Sequence, residues 1–237
     1  MPDSAYTGCI TIDPPLSSTE RTFLEAFVST RRIQTTQSPY HVGPSHNVLD
    51  PNQMPPDQPS LWCQWMPNTA GSRLEWDGVE KFYKAPEWMA YLRSHFITLG
   101  AARLIEPETQ SFWTHHRMSG SVLCLGQDLL IDLTKIEVDD HAVWVSVGTW
   151  TDQAKSDFFC HAPFSHKTAR SQKKNSTAKL THQTLISALF ARPELVRFEA
   201  RTRVPDFTDP ATAALFERAG LDAQILTPAH EARPRAL

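Results

Sequence analysis

The sequence predicts an α+β fold: an antiparallel sheet covered by two helices, followed by a smaller basic β-α-β region. Three observations carry this expectation. Two segments repeat apolar residues at helical spacing behind recognisable start signals, at Ser17 and at Pro86. Between Arg117 and Val147 the chain holds no proline and reads as short strands broken by turn-forming pairs, as in a meander. The 237 residues are 41% hydrophobic and 21% charged, the balance of a folded globular chain able to bury a sizeable core.

Gly8 to Ile12 is expected to be a strand, ended by Asp13-Pro14-Pro15 because consecutive prolines cannot continue a ladder. A helix follows, in which Ser17 and Glu20 form a capping box and Phe23, Leu24, Phe27 and Val28 share one stripe until about Thr30. Gln34 to Gln58 carries Pro39, Pro44, Pro51, Pro55 and Pro56 and reads as a long irregular stretch, functional or partly disordered. Ser60 to Met66 and Arg73 to Trp76 read as two strands joined through the turn-rich Pro67 to Ser72. Pro86 opens the second helix, with Trp88, Tyr91, Leu92, His95 and Phe96 on its apolar stripe. Arg117 to Val147 supplies three strands, with Gly126-Gln127 and Asp139-Asp140 as the turns. The last region is expected to hold a helix over about Ala178 to Ala191, a strand over Leu195 to Arg203, a helix from Asp209-Pro210 to Gly220, and a strand over Ala223 to Leu226. Ferredoxin-like topology is the arrangement these elements suggest.

Charge divides the chain near Asp157. Met1 to Asp157 holds 11 Lys+Arg against 19 Asp+Glu, a net of −8, whereas Phe158 to Leu237 holds 12 against 7, a net of +5. No acidic residue occurs from Phe158 through Pro193, and all seven tryptophans lie between Trp62 and Trp150. The expected organisation is an acidic, Trp-rich α+β domain over 1–157 and a basic region over 158–237, parted in the polar stretch Thr151 to Asp157. No run approaches the ~20 apolar residues of a membrane helix, and Met1-Pro-Asp-Ser-Ala-Tyr6 lacks the features of a secretory signal. A cytoplasmic protein is expected, with reduced thiols at Cys9, Cys63, Cys124 and Cys160.

Several strings of uncommon residues stand together: Ile10-Thr-Ile-Asp-Pro-Pro-Leu16 with Glu20 and Phe27, Leu61-Trp-Cys-Gln-Trp65, Leu74-Glu-Trp-Asp-Gly-Val-Glu-Lys-Phe-Tyr83, and Glu87-Trp-Met-Ala-Tyr-Leu92 with His95-Phe96. Over Gly8 to Val143 the chain resembles an uncharacterised bacterial and phage family with DPPL, LWCQW and EKFY blocks. In that family a Gly-rich strand pair follows, and Gly120 to Gly126 with Ile136 to Asp140 look like its counterpart. The resemblance implies a small α+β fold and a bacterial or phage setting. The family has no assigned activity, so the resemblance names no catalytic residue, and it ends before the basic region.

Trp62, Trp65 and Trp76, with Glu75, Asp77, Glu80 and Lys81 nearby, are candidates for a stacking surface that takes a base, a sugar or a partner side chain. In a regular strand Trp62 and Trp65 face opposite sides, so core packing is the favoured reading. Ser165 to Lys179 carries Lys167, Arg170, Lys173, Lys174 and Lys179 with no acid, a composition that neutralises phosphates without reading bases. The bland alternative is a solvated loop, or a patch docked on the chain's own acidic body.

Cys160, His161 and His166, with His115 or His116, are acceptable zinc ligands, but no pair has recognised spacing, and neither metal nor cofactor is expected. Cys160 as a nucleophile beside a histidine has no stronger support. His95 reads as a packing residue. Among Asp128, Asp132, Glu137, Asp139 and Asp140, the pair Glu137 and Asp139 would share a strand face as a carboxylate pair or magnesium site needs, yet hairpin ends look the same. None of the nine glycines falls in G-x-G-x-x-G or Walker order.

These readings favour a non-catalytic macromolecule-binding or regulatory protein of phage or mobile-element type. It would engage nucleic acid through the basic region or a protein through the Trp-rich body, with no membrane partner. The alternatives are a small hydrolase or nuclease using carboxylates or the Cys160/His161 region, and a protein–protein interaction module.

Overall fold

The computed structural model describes residues 5–56, 58–79, 82–97, 116–126, 133–154, 189 and 192–205. Along them run β1 (Ala5–Asp13), α1 (Ser18–Ser29), β2 (Gln34–Thr35), β3 (Val48–Asp50), β4 (Trp65–Pro67), β5 (Arg73–Trp76), α2 (Ala85–Leu92), β6 (Arg117–Leu125), β7 (Leu133–Val138), β8 (Val143–Trp150), β9 (Val196–Phe198) and β10 (Thr202–Arg203). The architecture is mixed α/β, with one antiparallel sheet dominating and few helices beside it.

The capping box forms as local chemistry dictates. Ser17 Oγ accepts from the Glu20 N–H at 3.3 Å, and a Glu20 carboxylate oxygen accepts from the Ser17 N–H at 2.7 Å. Leu24, Phe27 and Val28 then bury one stripe of α1 against the sheet. The other Glu20 oxygen lies 3.2 Å from His116 Nε2, while His116 Nδ1 donates to the Pro14 carbonyl at 2.7 Å. A carbonyl only accepts, so Nδ1 carries a proton, and this buried imidazole ties the start of α1 to the start of β6. Pro86 sits in the first turn of α2, which continues as a π-helical turn over Arg93–Ile97.

In the large sheet the order is β10-β8-β7-β6-β1-β5-β4, with β9 also on β8, and every pairing is antiparallel. The three-strand meander from Arg117 onward is present as β6, β7 and β8. A ferredoxin-like arrangement is not confirmed, because the meander and the β4–β5 hairpin dock on the two sides of β1. The register Ile10↔Gly120, Val122↔Ile136 and Ile136↔Val145 sets one apolar face, where α1 and α2 cover Ile10, Ile12, Leu74, Met118, Val122 and Ile136. The alternate residues face the other way. There Leu125, Leu133, Trp150, Leu189, Leu195 and Val196 form a second, smaller core.

Two expectations change, and the stretch expected to be irregular is held in place. Ser60 to Gln64 is not strand: the Leu61 carbonyl is taken by the Arg32 N–H at 2.8 Å and the Trp62 carbonyl by the Ser60 hydroxyl at 3.1 Å, so neither is left for a ladder. Leu195 to Arg203 is two short strands rather than one, both on β8, with the Glu199 N–H still bonded to the Val147 carbonyl at 2.9 Å between them. The irregular stretch is pinned: Arg32, buried over the Phe27 ring with 4.2 Å from Cζ to its centroid, donates to Gln58 Oε1 and to the Pro39 and His41 carbonyls. Burial pulls the Arg32 guanidinium down to about 10, which leaves it protonated at neutral pH. Tyr40 from the same stretch is buried, its hydroxyl 2.6 Å from Nδ1 of His95, whose ring stacks on Tyr91 at 4.0 Å.

The helices expected over 178–191 and 209–220 and the strand over 223–226 lie outside the described residues, Leu189 excepted. Among the described residues no helix is long and apolar enough to cross a membrane.

Candidate functional site

Beside the end of α1, four separate stretches of chain leave a concavity. It is lined by Val28 and Ser29, by Asn52 and Met54, by Ser60 to Gln64 with Met66, and by Asp77, Val79 and Tyr83. The open cavity measures about 730 Å³. Met54 is 40% exposed, Trp62 48%, Val79 56% and Tyr83 65%, so four large apolar side chains that water would rather not meet share one depression.

Ser60 organises the rim. Its hydroxyl lies 3.1 Å from the Trp62 carbonyl and 3.5 Å from the Tyr83 carbonyl, while it accepts from the buried Trp88 indole at 2.7 Å. Backbone at two positions 21 apart in sequence is thereby held together, which brings the exposed Trp62 and Tyr83 to the same edge. Across from them the Trp76 indole donates to Gln64 Oε1 at 3.2 Å and to the Val79 carbonyl at 3.1 Å, and the Asp77 N–H donates to the Gln64 carbonyl at 3.1 Å. Asp77 Oδ1 accepts from the Val79 N–H at 2.8 Å. Partial burial raises the Asp77 carboxyl above its ordinary range, despite the backbone N–H groups that favour its charged form. Burial pushes the Cys63 thiol up as well, so it stands in the wall as a thiol and not as a reactive thiolate.

The three sequence candidates in this region separate. Trp62 lines the groove. Trp76, half-buried, positions the Asp77–Val79 link. Trp65 is fully buried in the core, edge-on to Tyr6 at 5.7 Å and to Phe82 at 5.2 Å, with its indole donating to the Ala85 carbonyl at 2.9 Å. Glu75 is exposed on β5, and Glu80 and Lys81 lie outside the described residues. So do Lys167, Arg170, Lys173, Lys174, Lys179, Cys160, His161, His166, His115, Asp128 and Asp132.

Two of the meander's candidate carboxylates, Glu137 and Asp139, have local duties, and Asp140 is exposed. Glu137 pairs with Lys135 at 2.8 Å. Asp139 caps its turn by accepting from the His141 and Ala142 N–H groups, both at 2.9 Å, and from the Trp144 indole at 2.8 Å, with Arg201 at 3.7 Å. Burial alone would raise Asp139, but these bonds and the Arg201 charge outweigh it and hold the carboxyl below its ordinary 3.8. Among the described residues no group of three or more His, Cys, Asp or Glu is arranged to hold a metal ion.

Sequence reasoning missed Met54, Val79 and Tyr83. The available signal was the presence of large apolar residues in links that carry no strand or helix period, which is where an apolar side chain has no core to enter. Compared with family models, with curated proteins and with solved structures, the chain matches none.

Proposed function

We propose that the chain is a non-catalytic binding protein that takes an apolar segment of a partner protein into the groove beside α1. The observation that carries this reading is the gathering of Met54, Trp62, Val79 and Tyr83, each at least 40% exposed, around one open cavity of about 730 Å³. Covering such surface releases about 25 cal/mol per Å² of apolar area, which drives association without any chemistry. A cavity of this size holds a few side chains or a small ligand. Cys63 is a buried thiol and Asp139 caps a turn, so neither of these two supports a nucleophilic or carboxylate mechanism, while Cys160, His161, Asp128 and Asp132 lie outside the described residues. A bacterial or phage setting and a cytoplasmic location belong to the same proposal, the first resting on the DPPL, LWCQW and EKFY strings.

Nile red, a neutral apolar dye, tests the groove directly. Trp62→Ala is expected to weaken dye binding about 5- to 30-fold, the ~1–2 kcal/mol that an aromatic anchor commonly supplies, with the melting temperature unchanged. Equal binding by the two proteins would remove the groove as the site.

The five cations between Ser165 and Lys179, with no acid among them, support a second contact, to nucleic-acid phosphates. Labelled DNA and RNA titrated against salt would check it. Replacing Lys167, Arg170, Lys173 and Lys174 with Ala should abolish salt-sensitive binding, and binding that survives this change would end the reading.

A further inference from the structure

Asp77 is the one charged side chain among the described residues that line the groove. Its hydrogen-bond partners there are backbone N–H groups, its own and that of Val79, which orient the carboxylate but bring no counter-charge. Asp77 is itself exposed at the edge of this apolar lining, partial burial has cost its carboxylate some water, and no Lys or Arg among the described residues forms an ion pair with it. On the same groove stand the exposed rings of Trp62 and Tyr83, whose faces attract ammonium and guanidinium groups. An acidic partner would meet like charge here, and an uncharged one would leave the carboxylate desolvated with nothing gained.

We infer that the groove's occupant is a basic peptide segment: its apolar side chains pack on Met54, Trp62 and Val79, and one Lys or Arg side chain meets Asp77 and the rings of Trp62 and Tyr83. This rests on the groove being the binding site. The groove then reads two properties at once, apolar bulk through Met54, Trp62 and Val79 and positive charge through Asp77, and the second supplies the specificity.

The test is an array of short random-sequence peptides probed with the full chain, its Asp77→Asn variant and its Trp62→Ala variant. Asp77→Asn should fold normally. Because burial raises the Asp77 pKa, the ionised form is the costlier one in the folded state above that pKa, and the cost fades as pH falls through it; asparagine carries no such cost. The expected result is a set of peptides that depend on Trp62, are enriched in Lys or Arg beside apolar residues, and lose about tenfold in affinity with Asp77→Asn. Peptides that depend on Trp62 but show no basic enrichment, or bind Asp77→Asn equally well, would overturn the charge inference and leave the groove standing. If no peptide depends on Trp62, both readings fall together.

Discussion

Gly120→Ala is expected to cost roughly 2–6 kcal/mol, about 1–3 from backbone held where side chains are disfavoured and about 1–3 from forcing packed strands apart. Gly120 lies in β6 at φ +139, and a Cβ there would stand 2.6 Å from the Cys9 carbonyl oxygen of β1. The obstacle is backbone, so no rotamer change relieves it. Gly8 mirrors the situation from the other strand, at φ +106 with a Cβ 2.4 Å from the Ser121 carbonyl oxygen. The two glycines let β1 and β6 approach at the middle of the sheet, where Gly8 pairs with Val122 and Ile10 with Gly120. Urea unfolding of Gly120→Ala beside Ser121→Ala, an exposed neighbour expected to stay within about 0.5 kcal/mol, measures the effect. Equal midpoints for the two variants would show that the strands do not meet so closely.

Trp65→Ala should be similarly severe, at about 3–5 kcal/mol for deleting a buried indole. The side chain is fully buried against Tyr6 and Phe82, and its loss also removes the indole N–H that the Ala85 carbonyl accepts at the start of α2. Three residues away, Trp62→Ala should leave stability within about 0.5 kcal/mol, since that ring is about half exposed. Chemical denaturation of the pair reads the contrast, and a large loss in Trp62→Ala would mean that the groove wall is structural.

Local features were legible in the sequence because their causes are local. Ser17 and Glu20 cap each other across one helical turn, Pro86 marks the first turn of α2, and β7 and β8 are joined by a short turn that Asp139 caps from within. The partner of β1 was hidden, because pairing Ala5 with Leu125 depends on glycines whose positive φ no periodicity reports. Ser60 to Gln64 looked like a strand from its apolar run, but the Arg32 N–H, reaching across the fold, takes the Leu61 carbonyl, and the Ser60 hydroxyl, two residues away, takes that of Trp62. The groove was invisible for the same reason. Trp62 stood out as a tryptophan, but Met54, Val79 and Tyr83 become neighbours only after β4, β5 and the end of α1 are in place.

The central position of β1 also sets a timetable for biosynthesis. Its first neighbour, β5, follows about 60 residues later, and its second, β6, about 110 residues later. At about 5–20 residues per second, the second edge of β1 waits roughly 6–22 s for its partner to be made. During that interval a nascent chain can hold α1, β1, β4 and β5 together, yet it offers an unpaired strand edge to any neighbouring polypeptide. The interval of greatest aggregation risk therefore falls on the ribosome, and it closes when Arg117 to Leu125 emerges and zips against β1.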